Sequence, residues 1–372
     1  MKYYIIAGEA SGDLHASNLI REIKKLDPKA LFRAWGGDLM ANQGAEIVKH
    51  YRDLAFMGFV EVLFNIRTIL RNISLCKADI LDFKPDVLIL VDYPGFNLPI
   101  AKFAHRNSIK VHYYISPQVW AWKKGRVHTI RKVVDKMMVI LPFEKAFYAE
   151  YGIEVEFVGH PLLDAIDQAH HVSDEFRQRH KISDKPIIAL LPGSRKQEIK
   201  RMLKIMLKMV DEFPDYQFVI AAAPSIETSF YHKFDTPGRV SIVQNETYNL
   251  LQHASAALVT SGTATLETAL FGVPEVVCYR GNRLSFEIAR RIVDVKYISL
   301  VNLIMDRVVV TELIQYDLNA KRLKKELTRL LFDEKYLKQL YIDYDELRQK
   351  LGGSGASAKA AQLILDDLNK IV

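Results

Sequence analysis

Ile187-Ile188-Ala189-Leu190-Leu191-Pro192-Gly193-Ser194-Arg195 is a short apolar run that ends in a Gly-containing turn, and an amphipathic stretch, Lys196–Phe213, follows it. An uninterrupted apolar run bounded by a turn predicts a buried strand, and the spacing after it predicts a helix. A strand feeding a helix through a tight turn is the opening of a βαβ unit. The chain itself begins in the same way. Tyr3–Ala7 reads as a strand, Gly8-Glu9-Ala10-Ser11-Gly12-Asp13 as a turn, and Leu14–Leu26 as a helix.

Outward from these two openings the alternation continues. Lys2–Ala7, Val87–Val91, Lys110–Ile115, Lys136–Ile140 and Val155–Val158 read as buried strands, and Leu98–Asn107 and Phe143–Tyr151 carry helical spacing. After the irregular stretch from His170 to Lys185, further strands are expected at Gln217–Ala221, Val240–Val243, Ala256–Thr260 and Glu275–Cys278. The class is therefore α/β, with two Rossmann-like parallel-sheet domains facing across a cleft. Residues 1–170 are expected to form the first domain and 171–350 the second. Residues 351–372 form a last helix, set off by Gly352-Gly353-Ser354-Gly355, for which packing back on the first domain is one arrangement.

Composition narrows the class. Hydrophobic residues at 49% and charged residues at 26% belong to a globular chain of 372 residues, long enough for two cores. Cys76 and Cys278 are the only cysteines and have no CxxC spacing, so neither a disulfide framework nor a cysteine zinc site is expected. The N-terminus lacks the pattern of a signal peptide and no run of about eighteen apolar residues occurs, so a cytoplasmic chain without a membrane-spanning helix is expected. A net charge of +7 suits anionic partners and equally suits simple solubility. The basic residues are dispersed and no nucleic-acid module is recognisable, so no nucleic-acid partner is expected.

The chemistry gathers at turns that follow strands. Gly193, Ser194 and Arg195 stand at a helix start, where unsatisfied amides and the helix dipole favour an anion and the Arg195 fork suits phosphate oxygens. An ordinary capped helix with an exposed arginine is the alternative. Ser261-Gly262-Thr263-Ala264-Thr265 repeats the pattern after Ala256–Thr260, and Glu267 one turn later suits a ribose diol or a capping role. Neither GxGxxG nor GxxxxGK[ST] occurs, nor HExxH, so no nicotinamide cofactor, P-loop or metal is expected. Asp92 at the tip of Val87–Val91, before Tyr93-Pro94-Gly95, is the candidate general base, with Glu9 second; a turn-forming aspartate is the alternative. Asp13 is expected to cap the helix that begins at Leu14. Ser11, Trp120 of Ser116-Pro117-Gln118-Val119-Trp120-Ala121-Trp122, and His160 are the expected contacts for a second substrate; core packing is the alternative for Trp120, and a hinge or hydrogen-bonded structural role for His160. Val60–Arg71 suits either a lipid-docking surface helix or a core helix.

Several blocks together resemble the lipid A disaccharide synthases: Ala7–Asp13, Met57–Val62, Lys84–Val87, Tyr114–Trp122, Leu141-Pro142-Phe143-Glu144-Lys145, Leu190–Arg195 and Thr260–Glu267, in order over nearly the whole chain. The resemblance implies an inverting, metal-independent glycosyltransferase of the two-domain GT-B type without a cofactor. It would join UDP-2,3-diacylglucosamine to 2,3-diacylglucosamine 1-phosphate, called lipid X, at the cytosolic face of a bacterial inner membrane. The implied partners are these two lipids and the membrane surface, with a homodimer a further expectation. By resemblance Asp92 is the base, Arg195 serves activity on the UDP side, and Asn302 lies near the nucleotide. The family often has a second acid where this chain has Gly95, and Val309–Gln315 departs from its usual proline-containing form. The rivals are another GT-B transferase or an epimerase, and a non-catalytic nucleotide-sugar binder.

Overall fold

A computed structural model describes residues 1–53, 66–121, 123–168, 175–282, 286–287 and 295–370. The chain divides into two units, Met1–Asp164 together with the segment from Leu351, and Ala165–Lys350.

Tyr3 to Ala7 are wholly buried, which places their strand in the middle of a sheet rather than at its edge. Among the described residues the first unit has seven strands in the order Glu46–His50 (β3), Leu31–Gly36 (β2), Lys2–Ala7 (β1), Val87–Val91 (β4), Lys110–Tyr114 (β5), Lys136–Val139 (β6) and Glu156–Phe157 (β7). The second has six, in the order Val240–Gln244 (β10), Gln217–Ala222 (β9), Ile187–Leu191 (β8), Ala254–Thr260 (β11), Glu275–Tyr279 (β12) and Thr311–Ile314 (β13). Every pairing between these strands is parallel. Both sheets are Rossmann-like, and both reverse their winding beside the first strand of the unit: between β1 and β4, and between β8 and β11.

Strands β2, β3 and β13 were not among the expected strands. Arg33 interrupts the apolar run of β2, and β3 is a polar edge strand (Glu46-Ile47-Val48-Lys49-His50) none of whose residues is fully buried. The first helix was expected to begin at Leu14 and instead spans Ala10–Leu26, because Glu9 supplies the extended N-cap backbone. Lys196–Phe213 resolves into the helix Lys196–Met206 and a 3-10 turn at Leu207–Met209.

The last helix, Ala356–Asn369, packs on Ala10–Leu26 in the first unit. Asp164 caps it from far away in sequence, accepting from Gly355 N at 2.6 Å and Ser357 N at 2.9 Å. Asp367 ties its other end to the sheet through Lys110 Nζ at 2.6 Å and His112 Nε2 at 2.9 Å. The described residues contain no helix long and apolar enough to cross a membrane. Val60 to Asn65 of the proposed lipid-docking stretch lie outside the described residues. From Ile66 the chain is the helix Ile66–Phe83, which exposes Ile66, Leu70, Leu75 and Leu81.

Candidate active site

Register decides which turns meet. Ala7 pairs with Val91, so the Gly8-Glu9 and Asp92-Tyr93 turns leave adjacent strand ends at the winding reversal of the first sheet. Leu191 pairs with Val259, so Pro192–Arg195 and Ser261–Thr263 do the same in the second. Ligands of open α/β sheets bind at the carboxyl ends of strands at such reversals.

In the first unit the backbone around Asp92 is strained and firmly held. Asp92, Tyr93, Ile115 and Lys123 adopt left-handed φ of 42°, 48°, 66° and 56°, a conformation that is an outlier for a β-branched residue such as Ile115. Asn97 Nδ2 donates to the carbonyls of Val91 and Asp92 at 3.2 and 2.7 Å, Tyr113 Oη donates to Asp92 O at 2.6 Å, and Asp92 N donates to Ile115 O at 3.1 Å. Strain held by surrounding bonds is characteristic of functional turns. Gly8 is required by this arrangement, since a Cβ there would meet the Tyr93 ring at 2.4 Å. The Asp92 carboxyl is half-buried, and lost hydration together with the charge of Glu9 pushes its pKa up to about 7. A carboxyl poised there suits proton abstraction near neutral pH. Glu9 is exposed at the start of Ala10–Leu26, as is Ser11 in its first turn.

The first unit also places Asp13, His160 and Trp120. Asp13 does not cap its own helix; it accepts from Gly37 N, Leu39 N and Met40 N at 2.8, 3.1 and 3.1 Å and so caps Asp38–Asn42. His160 is 2% exposed, and burial lowers its pKa to about 3. Its Nδ1 accepts from Leu162 N and its backbone N donates to Leu351 O at 3.1 Å, so it anchors the C-terminal segment. Trp120 is half-buried with its ring edge-on to Phe143 at 5.0 Å, while its indole N–H has no partner among the described residues. Trp122 lies outside the described residues.

Glu144 is a buried carboxyl that was not among the candidate residues. It is 1% exposed, accepts from Ile140 N at 3.2 Å and Leu141 N at 2.9 Å, and burial pushes its pKa up to about 7. The signal was available: a glutamate two residues after Leu141-Pro142 can turn back onto the amides that end β6.

In the second unit the expected anion turn already holds a carboxylate. Ser194 N donates to Glu198 Oε2 at 3.2 Å. Gly193 has φ 102°, and a Cβ there would meet Glu198 Oε2 at 2.2 Å. Arg195 is exposed at the N-cap of Lys196–Met206. On the other turn Ser261 Oγ donates to Ile298 O at 2.7 Å, while Gly262 and Thr263 are exposed at the start of Thr263–Leu270. Glu267 is half-buried, and desolvation pushes its pKa up to about 7.

Asn302, expected near the nucleotide, belongs to the short helix Leu300–Met305. It is buried, its Nδ2 donates to Val310 O and Glu312 Oε1 at 2.9 Å each, and its Oδ1 accepts from Val309 N and Val310 N at 2.8 and 3.0 Å. Both donors and both acceptor sites of the amide are thus used within the unit. Asn302 shapes the Val309–Glu312 segment, and a hydrogen bond from its side-chain amide to a nucleotide would have to replace one of these bonds.

Two all-parallel Rossmann-like units, each reversing its winding beside its first strand, define a protein of the GT-B fold. Solved structures agree on the fold: UDP-GlcNAc 2-epimerase from Neisseria meningitidis bound to UDP-GlcNAc (TM-score 0.65, 15% identity, 100% of both chains) and the calicheamicin glycosyltransferase CalG4 (TM-score 0.62, 15% identity, 100% of this chain and 99% of that one). The lipid-A-disaccharide synthetase family profile matches residues 3–365. A lipid-A-disaccharide synthase of Syntrophus aciditrophicus is 41% identical over 98% of this chain and 97% of its own, and one of Geobacter metallireducens is 38% identical with the same coverage. The chain belongs to the lipid-A-disaccharide synthetase family, and it is an enzyme of lipid A disaccharide synthesis.

Proposed function

We propose that the chain transfers the sugar of UDP-2,3-diacylglucosamine to the 6-hydroxyl of 2,3-diacylglucosamine 1-phosphate, giving the β-1,6 disaccharide 1-phosphate and UDP. The observation that carries the mechanism is the Asp92 carboxyl, raised to about 7 on a strained turn at the first winding reversal. Asp92 takes the hydroxyl proton as the oxygen attacks the anomeric carbon from the face opposite the leaving group, which inverts the centre. The C–O bond to the diphosphate breaks and its electron pair leaves with UDP.

The second unit holds that leaving group. Arg195, the amides of the Gly193-Ser194 turn and the start of Thr263–Leu270 meet the growing negative charge, and Glu267 accepts from the ribose. Fixed donors aimed at developing charge are commonly the largest catalytic contribution, and losing one lowers the rate by about 10²–10³. The carboxylate of Glu198 has to leave the Ser194 amide before a diphosphate oxygen can take it. Both substrates carry acyl chains, so the reaction belongs at the cytosolic surface of the inner membrane. The exposed Ile66, Leu70 and Leu81, which share one side of the helix, support such a contact.

The test is turnover of UDP-2,3-diacylglucosamine by Asp92→Asn and Arg195→Ala, with disaccharide as readout. Near-normal activity in either variant removes that residue from its role.

A further inference from the structure

We infer that the Tyr248 hydroxyl is a positioning group for Glu267, holding one carboxylate oxygen so that the other faces the vicinal diol of a bound nucleotide's ribose. The inference rests on the reading of Glu267 as the ribose contact and adds to it a residue no sequence signal marks. Tyr248 belongs to Thr247–His253, the helix that follows β10, whereas Glu267 belongs to the helix that follows β11. The contact therefore ties together two different βα units of one sheet.

Tyr248 Oη donates to Glu267 Oε1 at 3.4 Å. The Tyr248 ring is fixed by packing against Phe271 at a centroid separation of 5.1 Å and 49°, and Phe271 directly follows the helix of Glu267. The same packing thus locates both ends of the bond. An ionised carboxylate only accepts hydrogen bonds, and one phenolic donor on Oε1 leaves Oε2 for a second donor. A ribose diol offers two O–H groups to what remains.

The hydroxyl also opposes the effect of burial. Loss of hydration favours the protonated form of Glu267, which has less acceptor capacity, and the Tyr248 hydroxyl favours the ionised form. Tyr248 is the titratable group that acts on Glu267 among the described residues. In turn burial and Glu267 raise the tyrosine's own pKa, so Tyr248 stays a donor throughout the working range. A tyrosine kept only for its ring would be replaced by phenylalanine without consequence.

The experiment is equilibrium binding of UDP and of 2′-deoxy-UDP to the full chain, wild type and Tyr248→Phe, across the neutral pH range. Wild type is expected to prefer UDP over its 2′-deoxy analogue, with affinity falling as pH drops through about 7. Tyr248→Phe is expected to bind UDP about tenfold more weakly at neutral pH, as for loss of a hydrogen bond to a charged group. Its pH midpoint should move upward and its preference for the ribose form should shrink. In the Glu267→Gln background the same change should have no further effect. A Tyr248→Phe protein with wild-type affinity, midpoint and preference overturns the inference alone. A wild type that binds both nucleotides equally overturns the ribose reading of Glu267, and the inference with it.

Discussion

The carboxylate of Glu198 lies on the backbone N–H of Ser194, 3.2 Å away, and covers the α-carbon face of Gly193. Glutamate three residues into a helix commonly turns back on a free amide of the preceding turn. Here that amide is also the donor the proposed diphosphate needs. Glu198→Gln should therefore lower thermal stability slightly, by about 0.3–1 kcal/mol for the lost charge at the helix start, yet bind UDP a few-fold more tightly. Calorimetry with UDP measures both. Unchanged or weaker UDP binding would leave Glu198 a helix cap and nothing more.

Asp92 acts as a base only when ionised. With its pKa raised to about 7, kcat/KM should climb between pH 6 and 8 and level off above. Asp92→Asn should lose about 10²–10⁴ in kcat and the acid limb of the profile. The raised value also bears on stability. The folded state keeps a proton that the unfolded chain releases above about pH 4, so stability falls as pH rises from there towards 7. Asp92→Asn should accordingly be no less stable than wild type at pH 8, as read from denaturant unfolding.

Glu275 is a stronger case of the same physics away from the site. It begins β12 fully buried, neither carboxyl oxygen has a hydrogen-bond partner among the described residues, and burial and the charge of Glu312 hold its pKa well above the usual carboxylate range. Its native proton is retained where the unfolded chain has lost one, so stability declines with rising pH above the unfolded value near 4.3. Glu275→Gln should raise Tm at pH 8 and change it little at pH 4. Equal Tm differences at both pH values would show that Glu275 is not held protonated.

Asp164 fastens the C-terminal helix through the amides of Gly355 and Ser357. Asp164→Ala should cost about 0.5–2 kcal/mol and speed amide exchange over Ala356–Asn369. Unchanged exchange in that helix would mean its docking depends on apolar packing alone.

Much of this was legible in the chain, for particular reasons. The central strands Tyr3–Ala7, Val87–Val91 and Ile187–Leu191 are unbroken apolar runs because both faces of a parallel sheet are covered. Gly8 and Gly193 mark the turns that end two of them and Gly262 the turn after Ala254–Thr260, and register then placed the turns in pairs. Edge strands such as Glu46–His50 carry no such signal, since neither face is wholly buried. Nor could spacing show that Asp13 reaches a neighbouring helix, that His160 is sealed inside, or that Asn302 has its amide fully used. Those outcomes depend on contacts distant in sequence. Glu198 shows the limit most clearly: its residue type announces a helix start, but its place on the Ser194 amide emerges only in three dimensions.

The central claim is tested most directly by UDP release from UDP-2,3-diacylglucosamine, measured with wild type and Asp92→Asn, with and without 2,3-diacylglucosamine 1-phosphate and in EDTA. The account predicts release that requires the acceptor, yields a disaccharide 1-phosphate, persists in EDTA and is lost in Asp92→Asn. Absence of release by a folded wild type that binds UDP, or full release by Asp92→Asn, would contradict it.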